Sequence, residues 1–307
     1  MCNGSLIGKI LIFALPIMFM NILQLLFNAA DMIVVGRFSG REALAAVGAT
    51  GSLINLIVNF FMGLSVGTSV VVAQDYGAGK PEAVSRSVHT SIAISIIGGL
   101  IVMVLGLVLC TPMLRLMGTP SDIIDLSAVY MKIYFIGAPA SMIFNFGAAI
   151  LRAVGDSRRP MYYLIVSGII NVILNLFFVI VLNMNVAGVA WATIISQNIS
   201  MVLVILCLCR SDEAIRFIPR QMRMDGRKLK QIVKIGLPAG LQSLLFSISN
   251  VLIQSAINSF GSIMVAASSA AANVEGFVGT TMNAYYNAAI TFTGQNMGAK
   301  KYQRIDD

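Results

Sequence analysis

The sequence predicts an all-α polytopic membrane protein, and three features of its composition and patterning lead to that class. Charged residues make up 11% of the 307 residues, less than half of the roughly 25% that soluble domains carry. Hydrophobic residues make up 57%, and the mean hydropathy is +0.85. The apolar stretches between charges are about 20 residues or longer, which suits helices across a hydrocarbon core ~30 Å thick rather than barrel strands of about 10 residues.

Charges and turn-forming residues divide the chain into eight predicted spans. The first four occupy residues 9–37, 42–75, 89–115 and 132–152. The interval from Arg159 to Arg210 contains no charge, and turn-forming residues 183–188 divide it into a fifth and a sixth span. The interval from Lys234 to Lys300 contains one charge, Glu275, and residues 258–262 divide it into a seventh and an eighth.

The basic residues orient these spans. With the N-terminus in the cytoplasm, 17 of the 21 Lys and Arg residues lie on the cytoplasmic side, and the outside keeps Arg37, Arg41, Arg115 and Lys132. This distribution follows the positive-inside rule and predicts a multi-pass protein of the cell (plasma or inner) membrane, with the lipid bilayer as its surroundings. The formal net charge of +8 could also suggest nucleic acid, but the basic residues are spread over loops and no nucleic-acid motif accompanies them. No nucleic-acid partner is therefore expected.

An internal repeat gives the domain organisation. A shift of 222 residues superimposes Leu15-Pro16 on Leu237-Pro238, and a shift of 221 carries the segment 74–78, Gln-Asp-Tyr-Gly-Ala, onto 295–299, Gln-Asn-Met-Gly-Ala. Polar and proline positions shared at a nearly constant offset indicate duplication. Because six spans separate equivalent positions, the two copies cross the membrane in the same direction, an arrangement found in transporters.

This repeat predicts a complete six-helix lobe at residues 1–210, a cytoplasmic linker at 211–227 and the first two helices of a second lobe at 228–307. Four further spans would complete the second copy. The linker is basic and polar, and a solvated loop is a simpler interpretation than an interfacial helix. His89, at the start of the third span, is expected to be a solvated residue of a cytoplasmic loop.

Two ionisable residues lie inside predicted spans, where a charge costs about 2.5 to 3.5 kcal/mol even on a lenient scale. Asp31 precedes Arg37 by six residues, so it lies in the outer half of its span. One interpretation is a carboxylate near the interface that water reaches. The other is a cation site, because a carboxylate with little water around it gains from binding a proton or a metal cation.

A cation site needs further oxygen ligands, and the sequence offers three. Asn171 and Asn175 lie four residues apart on one face of the fifth span, and Thr193 lies in the sixth. Such residues also serve as hydrogen-bonding contacts between membrane helices. Pro16 is expected to bend the first span because it lacks a backbone donor. Glu275 either faces an aqueous cavity, where it recognises the charge of the substrate, or pairs with a polar neighbour such as Asn273. Both interpretations remain open.

With two parallel copies, each closing its second span on Gln-x-x-Gly-Ala, the chain resembles the multidrug and toxic compound extrusion (MATE) family of secondary exporters. The likeness covers essentially all 307 residues. Further matching segments are the Asn-Ala-Ala-Asp sequence of 28–31, the turn of 151–156, Leu-Arg-Ala-Val-Gly-Asp, and the pair Asn171 and Asn175. Between Pro238 and Phe260 the chain has no glutamate, a feature similar to the DNA-damage-inducible branch of that family. In that family the bundle has twelve helices in two lobes, so this chain would be C-terminally incomplete.

The resemblance implies a site in the first lobe that binds a proton or a sodium ion, formed here by Asp31, Asn171, Asn175 and Thr193. Asn175 replaces an aspartate of some members, which leaves Asp31 as the carboxylate of that site. Pro16 matches the proline about which the first helix of the family bends. The implied activity is export of an organic, cationic or amphipathic small molecule from a cavity that includes Asn28, Asn145 and Glu275. The coupling ion takes the place of a cofactor, and a monomer is expected.

Three alternatives remain. A lipid-linked oligosaccharide flippase shares the broad architecture, and a strongly cationic cavity would favour it. A nontransporting fragment is the second, because alternating access requires two complete lobes. An ion channel has less support, since nothing resembles a filter of carbonyls or a ring of charges. The chain has no paired nucleophile and base, no phosphate-binding loop and no cluster of metal ligands, so an enzyme is not expected.

Overall fold

A computed structural model describes residues 1–211, 214–258 and 262–306, and this part of the chain is predominantly helical, without a β-strand. The all-α class predicted from the sequence is therefore confirmed for the described residues. The long helices are α1 Leu6–Phe38, α2 Gly40–Gly77, α3 Pro81–Leu116, α4 Ile124–Ile136, α5 Ala138–Ala153, α6 Arg158–Leu176, α7 Asn185–Arg210, α8 Gly226–Asn258 and α9 Ser262–Gly298, followed by the short α10 Gln303–Asp306.

Six helices of the described part are long and apolar enough to cross a membrane, and a seventh crossing results if α4 and α5 form one span. These two helices meet at a bend of 48°. The bend has a local cause, because Pro139 lies in the first turn of α5 and cannot donate a backbone hydrogen bond to α4. Helix α9 lies where the eighth span is predicted, but it is not among the helices counted above. The count of eight therefore remains a prediction.

The turn predicted between the fifth and sixth spans is present. Helix α6 passes into a π-helical turn, Phe177–Val181, and α7 begins at Asn185. Asn183 and Asn185 adopt positive φ angles of 51° and 48°, a conformation that asparagine tolerates better than most residues. The predicted break at 258–262 falls mainly on 259–261, which are outside the described residues.

Glycines let α2 approach the helices that follow the linker at backbone distance. A Cβ atom on Gly63 would lie 2.1 Å from the nitrogen of Gly240, and one on Gly67 would lie 2.3 Å from the carbonyl oxygen of Ile232. Since real Cβ contacts are not this short, any other residue would push α2 and α8 apart. Small residues play this role at helix contacts in membranes, where close packing drives association.

The repeated Gln-x-x-Gly-Ala segments pack against each other. A Cβ atom on Gly77 would lie 1.9 Å from the carbonyl oxygen of Gln295, and one on Gly298 would lie 2.0 Å from the carbonyl oxygen of Gln74. The contact is reciprocal, as a two-fold axis between the copies requires. The glycine of the motif is therefore explained by packing between α2 and α9.

A second pair of contacts obeys the same symmetry. Phe13, Ala14 and Ile17 of α1 form a buried cluster with Ala284 and Ala288 of α9, which also includes Phe292. The shift of 221 carries Gly63 and Gly67 onto Ala284 and Ala288. Helix α9 therefore packs on α1 through positions equivalent to those that α2 uses to pack on α8.

The linker and His89 differ from the sequence-based expectations. His89 lies within α3 and is buried, with 5% exposure. Its Nδ1 atom lies 2.8 Å from the carbonyl oxygen of Ser85, and its Nε2 atom accepts a hydrogen bond from the backbone N–H of Ile218 at 3.2 Å. Ile215 and Phe217 are buried in the core beside α3. The expectation of a solvated histidine in a loop was wrong, because the linker folds back and covers it.

Candidate cation and substrate site

Polar residues of α1 share one face of the helix. Asn21, Gln24, Asn28 and Asp31 follow one another at intervals of three, four and three residues, which places them on the same side of an α-helix. All four line one cavity. This spacing was present in the sequence, and it would have identified Asn21 and Gln24 in addition to the residues that were predicted.

The cavity has a volume of about 650 Å³ and is lined by helices from before the linker and by α8 and α9. Its wall is mostly amide and hydroxyl side chains, with apolar and aromatic residues between them. The polar lining residues include Asn21, Gln24, Asn28, Asp31, Asn59, Ser65, Ser69, Ser141, Asn145, Arg152, Ser167, Asn171, Thr193, Ser196, Gln197, Ser200, Gln242, Ser243, Asn283 and Asn287. A cavity of this size and chemistry can hold an amphipathic organic molecule.

The carboxylate of Asp31 is held by a neutral neighbour. The side-chain amide of Asn175 donates a hydrogen bond to Asp31 Oδ1, and the same nitrogen lies 3.3 Å from Oδ1 of Asn171. Asn175 is fully buried and Asn171 is 5% exposed. Neither of the two ion pairs found among the described residues includes Asp31. Its negative charge therefore has an amide for a partner and no basic side chain.

One oxygen of this cluster has no partner. The Oδ1 atom of Asn175 is buried and makes no hydrogen bond. An unsatisfied buried acceptor is unfavourable, and a bound cation would satisfy it. Carboxylate and amide oxygens are ligands that hard cations such as sodium accept, and a proton on the carboxylate needs only one of them. The residues present therefore fit either ion.

The structure brings most of the predicted site residues together. Asn28, Asn145 and Thr193 line the cavity with Asp31 and Asn171. The hydroxyl of Thr193 donates to the carbonyl oxygen of Val189 at 2.9 Å, within its own helix, so no hydrogen bond joins it to Asp31.

Two predicted residues lie elsewhere. Pro16 is inside the continuous helix α1, and Ile17 beside it reaches the cavity. Glu275 is an exposed residue of α9 that is not part of the cavity lining. The side chain of Asn273, its suggested partner, is not described.

Arg152 is a lining residue that sequence reasoning did not assign to the site. Its position at the end of the fourth span suggested a role in membrane topology only, yet it lines the same cavity as Asp31. These two are the charged residues among the described part of the lining. The basic residue was visible in the sequence, but its direction depends on how α5 packs.

An ion pair and a hydrogen bond join the end of α2 to α8 and α3. Lys228 of α8 and Asp75 of α2 form an ion pair at 2.5 Å, and the hydroxyl of Ser87 donates to the same carboxylate oxygen at 2.6 Å. Both charged side chains are mostly buried, at 13% and 15% exposure. Together with the glycine contacts of α2, this cluster joins α2, α3 and α8. The helices before the linker and those after it are thus in direct contact at this end.

The chain is similar to known proteins over most of its length. The MatE family model matches residues 16–177 and 238–307. The probable multidrug resistance protein YoeA of Bacillus subtilis is 31% identical over 303 residues, covering 96% of this chain and 65% of the relative. DNA damage-inducible protein F of Escherichia coli is 26% identical over 298 residues, covering 96% of this chain and 64% of the relative.

A solved structure described as the outward-facing conformation of a multidrug resistance MATE family transporter has a similar fold. It superimposes with a TM-score of 0.90 at 28% identity, covering 97% of this chain and 66% of that one. The chain thus spans about two thirds of the length of these three proteins. The predicted family is confirmed, whereas the assignment to one branch stays a prediction. With a family model matched over most of its residues, the chain belongs to the MatE (multidrug and toxic compound extrusion) family.

Proposed function

We propose that this protein takes part in the export of organic, amphipathic compounds across the cell membrane, in exchange for protons or sodium ions. The observation that carries the proposal is the Asp31 cluster, in which a carboxylate without a basic partner lines the same cavity as the amide and hydroxyl groups that would hold a substrate. Shared residence in one cavity lets the occupancy of one ligand change the affinity for the other. That coupling is the requirement for antiport.

Helix α1 lines the cavity and contacts helices on both sides of the linker. Asp31, near its end, contacts α6 through Asn175, while Phe13, Ala14 and Ile17 contact α9. Pro16 lies within the α9-contacting part and weakens the helix there, because it removes one backbone hydrogen bond. We propose that cation binding neutralises Asp31, changes the contact with α6 and thereby moves α1 about Pro16.

The proposed orientation follows from the charges. With the basic loops in the cytoplasm, the Asp75–Lys228 pair closes the cytoplasmic side, and the cavity opens to the outside. A cation entering from outside would then release substrate outward. One positive charge moving inward across about 100 mV provides ~2.3 kcal/mol, which sustains roughly a 40-fold gradient of a neutral substrate.

The organisation predicted from the repeat belongs to this proposal. Residues 1–210 would form one lobe, 211–227 the linker and 228–307 the beginning of the second lobe, in a monomer. A flippase for lipid-linked oligosaccharides receives less support, because the described lining has a single cationic residue, Arg152, and is therefore not strongly cationic. A scaffold without transport would have no need for a half-buried carboxylate without a basic partner in a polar cavity.

The test is dye accumulation in proteoliposomes that contain the purified protein. A pH gradient and a sodium gradient are imposed separately, and uptake of a fluorescent cationic dye is followed. We expect one of the two gradients to drive uptake against the dye gradient. Dye movement that ignores both gradients would remove ion coupling from the proposal.

A further inference from the structure

Arg152 lines the cavity without a partner for its charge. Its Nε atom is buried and makes no hydrogen bond. Neither of the ion pairs in the described part of the chain includes Arg152. A guanidinium away from bulk water is costly unless an anion or several acceptors satisfy it. This residue is therefore the basic counterpart of Asp31, unpaired in the same cavity.

Asp156 and Asp75 are engaged with other partners. Asp156 follows Arg152 by four residues, but it pairs with Nε of Arg159 at 3.1 Å and accepts the backbone N–H groups of Arg158 and Arg159, each at 3.1 Å. Asp75 is occupied by Lys228 and Ser87. Within the described residues, no counter-charge is paired with Arg152 that it would have to release before it bound an anion.

The backbone holds Arg152 at a defined place. The carbonyl oxygen of Ala153 accepts a hydrogen bond from the buried side chain of Gln295 at 2.7 Å, and the carbonyl oxygen of Arg152 accepts one from Gly155 at 2.9 Å. These contacts fix the end of α5 against α9. A guanidinium on a fixed backbone is suited to bind a planar anion with two parallel hydrogen bonds.

The residues that follow Arg152 lie beside the start of α1, whereas Asp31 lies near the end of that helix. Residues 154–158, which follow Arg152, form a surface depression with Lys9, Ile12 and Phe13 near the start of α1. Asp31 lies eighteen residues beyond Phe13, or roughly 27 Å further along the helix axis at ~1.5 Å per residue. Amide and hydroxyl side chains occupy the wall between them. A molecule that contacts both ends therefore carries its polar groups some distance apart.

We propose that Arg152 is an anion-binding subsite, and that the substrates include amphipathic compounds with a carboxylate or a phosphate group. The anionic group binds the guanidinium at the closed end of the cavity, and the remainder of the molecule extends toward Asp31. This inference rests on the proposed export function and adds a substrate class to it. A purely cationic compound would gain nothing from Arg152 and would be repelled by it.

The test is equilibrium binding measured by fluorescence anisotropy in detergent, with two dyes that differ in one group. One probe is a rhodamine with a free carboxylate, and the other is the methyl ester of the same dye. We expect Arg152→Gln to weaken binding of the free acid at least about tenfold and to change binding of the ester by less than about twofold. Arg152→Lys should recover part of the loss, because it keeps the charge but not the fork of donors.

Arg158→Gln is the matched control, since Arg158 is an exposed basic residue of the neighbouring turn. It should leave both affinities unchanged. Equal losses for both dyes in Arg152→Gln, no loss for either, or a wild type that does not bind the free acid would each overturn the proposal. Displacement of the free acid by lysophosphatidylglycerol identifies a lipid headgroup as the source of the anion, and displacement by inorganic phosphate identifies a soluble one. Displacement by neither also contradicts an anion subsite.

The two proposals can fail separately. Binding does not require an ion gradient, so a charge-dependent affinity at Arg152 would persist in a protein that failed to couple dye movement to ions. Conversely, the wild type could take up the ester in response to an ion gradient while Arg152→Gln binds the free acid as tightly as the wild type does. That result would reject the anion subsite and leave the export function standing.

Discussion

Asp31 and Asp75 are two carboxylates of one chain in opposite electrostatic situations. Asp75 is bound by Lys228 and Ser87, where α2, α3 and α8 meet. Asp31 is bound by the amide of Asn175 and lines the cavity. A carboxylate with a basic partner is a permanent contact between helices, whereas one with a neutral partner keeps its charge available for a cation. The contrast distinguishes a carboxylate that joins helices from the one proposed to bind the coupling cation.

The cavity side of the comparison is tested most strongly by Asp31→Asn. We expect gradient-driven dye accumulation to disappear, a loss of up to roughly 40-fold in the sustained gradient, because an amide cannot bind a proton or balance a cation. Proteoliposome uptake measures the change. Asp122→Asn, at an exposed acid of the loop before α4, is the matched control. Accumulation that persists in Asp31→Asn would remove this carboxylate from the mechanism.

The packing of α2 against α9, at the same end of α2 as Asp75, is tested by Gly77→Val. The new Cβ atom would lie 1.9 Å from the carbonyl oxygen of Gln295, so the backbones of α2 and α9 must separate. We expect a destabilisation of about 3 kcal/mol, read as a lower melting temperature in detergent. Gly51→Ala, where a Cβ meets nothing within 4 Å, should be neutral or stabilising. Tolerance of Gly77→Val would mean that the repeated glycine has no packing role.

The ion pair itself is tested by Lys228→Met. The substitution leaves Asp75 with Ser87 alone, in a place where water reaches little of the side chain. We expect a loss of about 2 kcal/mol in stability, below the full cost of an unpaired buried charge because both groups keep some exposure. Melting temperature measures this effect, and Lys230→Met, at an exposed lysine of the same helix, is the control. If the double variant Asp75→Asn with Lys228→Met is no more stable than Lys228→Met, the loss does not come from the unpaired charge.

The smallest effect is expected at the linker. His89→Phe preserves an aromatic ring but removes the acceptor of the Ile218 N–H group, which costs about 1 kcal/mol. Trypsin cleavage at the exposed Arg220 and Arg223 should accelerate roughly fivefold if cleavage follows local opening. Glu82→Gln, at an exposed residue of the same helix, is the control. An unchanged cleavage rate would show that His89 does not hold the linker.

The helical spans and part of the site could be predicted from the sequence, because both depend on the cost of placing polar groups in lipid. Long uncharged stretches had to become helices, and Asp31 with Asn171 and Asn175 stood out within them. The linker could not be predicted in the same way. Its buried residues Ile215 and Phe217 lie among arginines, and composition alone indicated a solvated loop. The bend between α4 and α5 could have been predicted from Pro139. It was not, because the predicted span of 132–152 has the length of a single continuous helix.

The sequence by itself determined which segments enter the membrane, the duplication and the inventory of polar groups, because each follows from local composition and spacing. The tertiary structure decided which polar groups share a cavity. Arg152 and Lys228 are both basic residues at helix ends, yet one lines the cavity and the other neutralises Asp75. The physical reason is that the worth of a charge depends on its neighbours and on the water around it, and both are set by packing between segments far apart in the chain.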